Sequence, residues 1–252
     1  MHTDIEDKVI VITGAAGGLG RALAIGLAQR GARVAALDLE QHQADLVVKE
    51  IAAAAPDAEP ALALAADVTV ESDLADAARA VDARWGRVDA LLSNAGWMPP
   101  VTPVLELDLT RLHRTIDVNL VGCFLVTKHF APGMIRGGGG RIIYTSSMIG
   151  VQANAGQAAY GASKAGVTLL ANVVHRELAD QGIRTVALAP GLTDTPGMRA
   201  SVDDAYIDRV ASTYPGGRIG QPDDVVAFAA FRCSDAARHL SGTLLPIRPV
   251  TG

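Results

Sequence analysis

Seven short apolar runs, each separated from the next by enough chain for a helix, set the tightest limit on how this 252-residue sequence can fold. They are KVIVIT (8–13), ARVAALD (32–38), ALALAAD (61–67), VDALLSN (88–94), RIIYTSS (141–147), IRTVALAP (183–190) and GTLLPI (242–247). Strands that are apolar on both faces need cover on both faces, and strands alternating with helices join through right-handed βαβ crossovers. The pattern predicts an α/β fold, a Rossmann-like doubly wound parallel sheet of seven strands with helices on both faces. No repeat or shift of composition marks a linker, so residues 1–252 read as a single domain. Aromatic residues are 4% of a chain that is 49% hydrophobic, so the core must come from small aliphatic groups that let helix and sheet approach closely.

A formal charge of -5 and a pI near 5.6 leave no basic stripe for a phosphate backbone, which argues against a nucleic-acid partner. Cys123 and Cys233 have neither disulfide nor metal spacing, in keeping with a reducing, cytoplasmic setting. The opening MHTDIEDK is polar and acidic, unlike a signal peptide, and no apolar run approaches the ~18 residues of a membrane span. The expected protein is soluble, with no membrane partner. RGGGGR (136–141) ends a helix and precedes a strand, the reverse of a phosphate loop, and reads as a plain αβ turn.

A different glycine stretch has the right order. TGAAGGLG (13–20) lies where the first strand meets the first helix, so Gly14, Gly18, Leu19 and Gly20 offer a sharp turn and a helix N-terminus to a pyrophosphate. Close packing of helix on strand would select glycine here as well. Asp38 ends the second strand, where a carboxylate accepts from adenosine ribose hydroxyls and repels a 2′-phosphate, favouring NAD over NADP. Ala15, Ala16 and Leu39 offer no cation to such a phosphate. The competing role for Asp38 is a solvated strand end or helix cap. Asp67, followed by Val68, can reach the adenine amino group or simply cap the next helix; Asn94, Ala95 and Gly96 give slim backbone beside the cofactor.

AAYGASKAG (158–166) places Tyr160 and Lys164 four residues apart on a helix whose apolar positions Val167, Leu170, Ala171, Val174 and Leu178 follow a 3.6-residue period. Both side chains then face one ligand. A phenol is a poor base near neutrality, and a neighbouring cation favours its phenolate form. Tyr160 is thus a candidate to take the proton of an alcohol as hydride leaves its carbon, or to return it to a carbonyl. Ser147 ends the fifth strand 13 residues before Tyr160 and can hydrogen-bond the substrate oxygen, with Ser146 as its rival.

With these residues in place the chain resembles the short-chain dehydrogenase/reductase family in its common form, from about Lys8 to Ile247. The family's T-G-x-x-x-G-x-G appears as TGAAGGLG, its N-A-G at 94–96, its Y-x-x-x-K as YGASK and its P-G as Pro190 and Gly191. The resemblance implies that Ser147 orients the substrate, that Asn119 of IDVNLVG holds a water in a proton relay to Lys164, and that Lys164 also bonds the nicotinamide ribose. It further implies contacts from the Leu192 backbone and Thr195 to the carboxamide, and a homotetramer built on the long helices before and after the fifth strand. Without the other catalytic residues, Asn119 would read as a helix asparagine bonded to backbone. Two departures stand out: Ser93 replaces a second asparagine, and the C-terminal LLPIRPVTG lacks the aspartate and paired glycines common after the last strand, which bears on the tetramer contact and on any metal there.

His113, His129 and His175 have no spaced nucleophile or carboxylate partner, and no cluster points to a metal. Three functions follow: an NAD-dependent dehydrogenase interconverting a secondary alcohol and a ketone, a 3-oxoacyl-thioester reductase, or a non-catalytic NAD-binding regulatory protein. Asp38 weighs against the second and the intact catalytic set against the third. The partner is then a small-molecule alcohol or ketone. Substrate identity should lie in variable edges, where Trp97 and Met98 either line a wall or pack, and Gln152, Asn154 and Gln157 either meet a hydroxylated substrate or face solvent. A substrate lid over residues 193–217 is expected from its length and its Gly, Pro and polar content.

Overall fold

All seven apolar runs become strands of one parallel sheet in the computed structural model, which describes residues 5–248. The last four residues of LLPIRPVTG, 249–252, lie outside that range, as do residues 1–4. The first half runs β1 (Val9–Thr13), α1 (Gly18–Ala28), β2 (Arg33–Asp38), α2 (Gln41–Ala54), β3 (Leu62–Ala65), α3 (Glu71–Trp85) and β4 (Ala90–Ser93). The second half runs α4 (Leu109–Ile116), α5 (Gly122–Arg136), β5 (Gly140–Thr145), α6 (Ala158–Leu178), β6 (Ile183–Pro190), α7 (Pro196–Arg199), α8 (Asp204–Ser212), α9 (Pro222–Cys233) and β7 (Thr243–Ile247). The spatial order is β3-β2-β1-β4-β5-β6-β7, so the winding reverses between β1 and β4. Ligands of doubly wound sheets bind at that reversal, at the carboxyl ends of the strands.

The two sides of the sheet bury separate sets of small apolar residues. Val9, Val11, Leu91, Ile142 and Ala187 face α3, α5 and α6, while Ile10, Ile12, Leu92, Ile143 and Leu188 face α1, α2 and α9. This is the period-2 alternation of a strand covered twice. Closeness is built into the sequence: a Cβ on Gly26 of α1 would meet the Val226 side chain of α9 at 2.5 Å. Helix ends are set by local chemistry. Asp108 caps α4 by accepting from the Arg111 amide at 2.8 Å, and α3 stops at Gly86, whose φ of 67° is left-handed. The glycine run 136–141 forms the expected αβ turn, with Gly139 at φ 109° against Gly182.

Helices α4 and α5 are joined by a π-helical segment, Asp117–Val121, into one 28-residue helix from Leu109 to Arg136. By length and composition that helix is apolar enough to cross a membrane, which no contiguous apolar run reveals because Arg111, Arg114, Asp117 and Lys128 interrupt it. Half of its most apolar stretch is buried inside the molecule, against the sheet. The segment 193–217, expected as a substrate lid, contains regular structure. It folds into α7 and α8 around Met198, Ile207 and the neighbouring Ile219.

Candidate active site

The carboxyl ends of the strands open onto a cavity of about 1700 Å³. A pocket for one drug-sized ligand is about 300–1,000 Å³, so this one has room for a dinucleotide and a substrate together. Gly14, Asp38, Asn94, Ser147, Tyr160 and Lys164 all line it. Of the residues predicted for the site, only Asn119 does not.

The glycine turn is tight for steric reasons. Gly14 has φ 64°, and a Cβ there would meet the Ala95 Cα at 2.8 Å; one on Gly20 would overlap the Gly14 carbonyl. Helix α1 begins at Gly18 with no side-chain cap, so its first amides are left to the cavity that Gly17, Gly18 and Leu19 line. Uncapped amides and a helix dipole suit an anion, and a pyrophosphate fits that role. Asp38 accepts from the Ala16 amide at 2.7 Å and from the Leu39 amide at 2.9 Å. A carboxylate has about four acceptor sites, so two remain for ribose hydroxyls while the pair already made pins the turn to β2. Asp67 is committed to its own turn through Thr69, whose amide and hydroxyl donate at 2.8 and 2.7 Å, and it lines the cavity with Val68.

Thr13, which sequence reasoning passed over, holds the centre together. Fully buried at the end of β1, its hydroxyl oxygen accepts from the Asn94 and Ala95 amides, each at 3.0 Å. The Asn94 side chain donates to the Thr13 carbonyl at 3.1 Å and accepts from Thr145 at 3.3 Å, stitching β1, β4 and β5. A polar residue closing a wholly apolar strand was the available signal. Ser93 donates to the Cys123 sulfur at 3.2 Å, and burial raises the Cys123 thiol, which is no nucleophile.

Tyr160 and Lys164 share one face of α6. Lys164 is 3% exposed, donates to the Thr145 carbonyl at 2.7 Å and sits 5.7 Å from the centre of the Tyr160 ring. The two serines are divided by their partners. Ser146 donates to the Lys164 carbonyl at 2.9 Å and pairs with the Thr168 hydroxyl at 2.8 Å, whereas Ser147 accepts from the Ile149 amide at 3.2 Å and keeps its own O–H for a ligand. Asn119, fully buried in the π segment, uses its side chain on Trp97, accepting from its amide at 2.7 Å and donating to its carbonyl at 3.0 Å, and on Ser163 at 3.0 Å. A water in a relay would therefore have to be held by its main chain.

Beyond β6, Pro190, Gly191, Leu192 and Thr195 line the cavity. Thr195 caps α7 by accepting from the Met198 amide at 3.3 Å, and a Cβ on Gly18 would meet its side chain at 2.9 Å, so this segment rests on the glycine turn. Trp97, Gln152 and Gln157 line the wall, with Arg114 stacked 4.4 Å above the Trp97 ring. The Gln157 side-chain oxygen, Oε1, is buried without a partner among the described residues. Of the histidines, His113 lines the cavity, His129 meets Glu71 and His175 pairs with Ser241 at 2.8 Å. Among the described residues no group of three or more His, Cys, Asp and Glu could hold a metal.

A family model described as short chain dehydrogenase matches residues 8–206. The chain is 37% identical to a cis-4-hydroxycyclohexanecarboxylate dehydrogenase of Sinomonas cyclohexanicum, over 98% of this chain and 97% of that protein. It is 34% identical to a 3-oxoacyl-[acyl-carrier-protein] reductase of Thermotoga maritima, over 96% and 97%. Among solved structures, a 7α-hydroxysteroid dehydrogenase complexed with NADH and 7-oxo glycochenodeoxycholic acid superposes with a TM-score of 0.92 at 31% identity, covering 100% of this chain and 95% of the other.

Proposed function

Because the chain belongs to the short chain dehydrogenase family and is an oxidoreductase by that membership, we propose that it uses NAD to interconvert a secondary alcohol and a ketone. The observation that carries this reading is the convergence of Ser147, Tyr160 and Lys164 on one cavity that also holds the uncapped start of α1 and the Asp38 carboxylate. The nicotinamide, when bound, supplies the hydride acceptor or donor. Gly14, Gly18, Leu19 and Gly20 hold the pyrophosphate, Asp38 the adenosine ribose, and Leu192 and Thr195 the carboxamide. Ser147 donates its free O–H to the substrate oxygen, Tyr160 removes or returns the proton on that oxygen, and Lys164 keeps positive charge beside the phenol. The unpartnered Gln157 oxygen accepts from a further donor on the substrate. A ring-borne secondary alcohol is the substrate class that two of the relatives, by name, support.

The reading also includes a homotetramer in a reducing, cytoplasmic setting, with both cysteines free and buried and with hydrophobic side chains exposed along α5 and α6. The decisive experiment offers secondary alcohols and ketones with NAD(H) or NADP(H), follows the absorbance of the reduced nicotinamide, and titrates both cofactors by fluorescence. Turnover with tighter binding of NAD(H) is expected, because the Asp38 carboxylate would meet the adenosine ribose and, among the described residues, no cation lines the cavity beside it. Tighter binding of NADP(H) would overturn the assignment. The Thermotoga relative favours a second reading, a 3-oxoacyl-thioester reductase, and turnover of such a thioester in preference to every alcohol would establish it. Binding of NADH with no turnover of any substrate would leave the regulatory reading.

A further inference from the structure

The cavity wall beside β7 carries a positive charge with no acid to answer it among the described residues. Arg248 directly follows β7 and lines the cavity, and its only polar contact among the described residues is with the Gln152 carboxamide, at 3.4 Å. A guanidinium has five N–H donors, so nearly all of its capacity is free. The cavity-lining carboxylates are Asp38, Asp67 and Asp117. Asp38 ends β2, five strand spacings from β7 in the sheet order, and Asp67 follows β3, which lies further still. At about 4.8 Å per spacing, Asp38 is roughly 24 Å away along the sheet, well beyond the ~8 Å screening length of physiological salt. Asp117 belongs to the helix between α4 and α5, one turn from the cavity-lining Arg114, which has no acidic partner among the described residues, so the charges on that side balance.

Arg248, Tyr214 and Gln152 line the same cavity, and the first two meet over Gly191. A Cβ on Gly191 would meet the Arg248 Cβ at 2.9 Å and the Tyr214 hydroxyl at 3.2 Å, so the absent side chain lets the Arg248 stem and the Tyr214 hydroxyl close on the same backbone position. Ser147 follows β5, two spacings from β7, which puts the reacting oxygen roughly 10 Å from the end of β7 along the sheet. The length of the arginine side chain closes part of that distance. We propose that Arg248, assisted by the Tyr214 hydroxyl and the Gln152 amide, binds a carboxylate carried by the substrate several bonds from its carbinol carbon, making hydroxy acids the preferred substrates. The proposal rests on the dehydrogenase reading only for the identity of the reaction.

The test compares cyclohexanol with cis-4-hydroxycyclohexanecarboxylate as NAD-linked substrates of the full-length protein, and measures binding of cyclohexanecarboxylate to the NADH-loaded protein by calorimetry. The wild type should favour the acid, and Arg248→Ala should lower the ratio of kcat/KM for acid over alcohol by about 10- to 100-fold, chiefly through KM, with Arg248→Lys intermediate. Binding of cyclohexanecarboxylate should weaken by a similar factor while the affinity for NADH holds, which also shows the variant to be folded. A ratio indifferent to Arg248, or carboxylate binding that is absent from the wild type or equal in both proteins, overturns the proposal. Should neither alcohol turn over while the carboxylate still binds through Arg248, the reaction assignment fails and the anion site stands.

Discussion

Lys164 is fixed by the fold and Tyr160 is left open to the cavity, a division that decides what each substitution does. The ammonium is buried on the Thr145 carbonyl, whereas the phenol, only partly buried, makes no hydrogen bond with its hydroxyl among the described residues. Tyr160→Phe therefore deletes one oxygen and disturbs no internal partner. Its NADH affinity, measured by fluorescence, should stay within about twofold, while kcat falls by about 10²–10⁴-fold, the usual worth of a positioned acid or base. A variant with nearly wild-type turnover would place the base elsewhere. The spacing of Ser147, Tyr160 and Lys164 is legible in the sequence because each sits at a fixed offset on a strand end or helix face. What Ser146 and Asn119 do is not, because their partners, the Lys164 carbonyl and the Trp97 backbone, lie 18 and 22 residues away and meet them only after folding. Thr13 escaped for the same reason, being bonded 81 residues along to Asn94.

At the scale of elements, the strands were legible because β1, β2, β4, β5 and β6, buried on both faces, write continuous apolar runs, and the partly exposed edge strands β3 and β7 keep the same apolar composition. The π segment Asp117–Val121 and the helices of segment 193–217 were not, since neither alters the local hydrophobic pattern enough to be told from ordinary helix or loop. Helix α9 hides another surprise: Arg232, near its end, is fully buried. Its Nη1 donates to the Ala237 carbonyl at 3.1 Å, but Nε and Nη2 have no partner among the described residues. Burial, reinforced by the charge of Arg141, pushes the guanidinium down to about 10. A base whose folded value lies below its unfolded one binds fewer protons when folded, so stability rises with pH from about 10 up to the ordinary arginine range and is flat, at its lowest, below that window. Arg232→Met removes the charge and keeps much of the volume. It should stabilise the protein at pH 7 by about 1–2 kcal/mol in chemical denaturation, after the loss of the Ala237 bond, and abolish the extra rise above pH 10. A variant less stable by more than about 1 kcal/mol would show that the buried charge is compensated.

For the whole molecule, the sheet order gives α5 and α6 a shared side, and their inner faces bury Cys123, Val126, Phe130, Val167 and Ala171. Their outer faces are the anomaly. Phe124 is 50% and Leu169 65% exposed, with Val121 three residues before Phe124 and Val173 four residues after Leu169, so each helix carries an apolar pair on adjacent turns pointing away from its own core. Scattered exposed apolar residues are ordinary, but paired ones on two helices that cover the same side of the sheet, one of them carrying Tyr160, are of the kind that subunits cover. If copies associate there, the interface props the outer side of α6 and thereby the geometry of Tyr160 and Lys164. Light scattering should find a homotetramer for the wild type, and Phe124→Asp combined with Leu169→Asp should reduce the mass, because a buried carboxylate on each helix costs several kcal/mol per copy. Turnover should fall with the mass, and partial recovery at high protein concentration would tie the loss to assembly rather than to the chemistry. A wild type that is monomeric, or a double variant that keeps the wild-type mass, rules this face out as the interface.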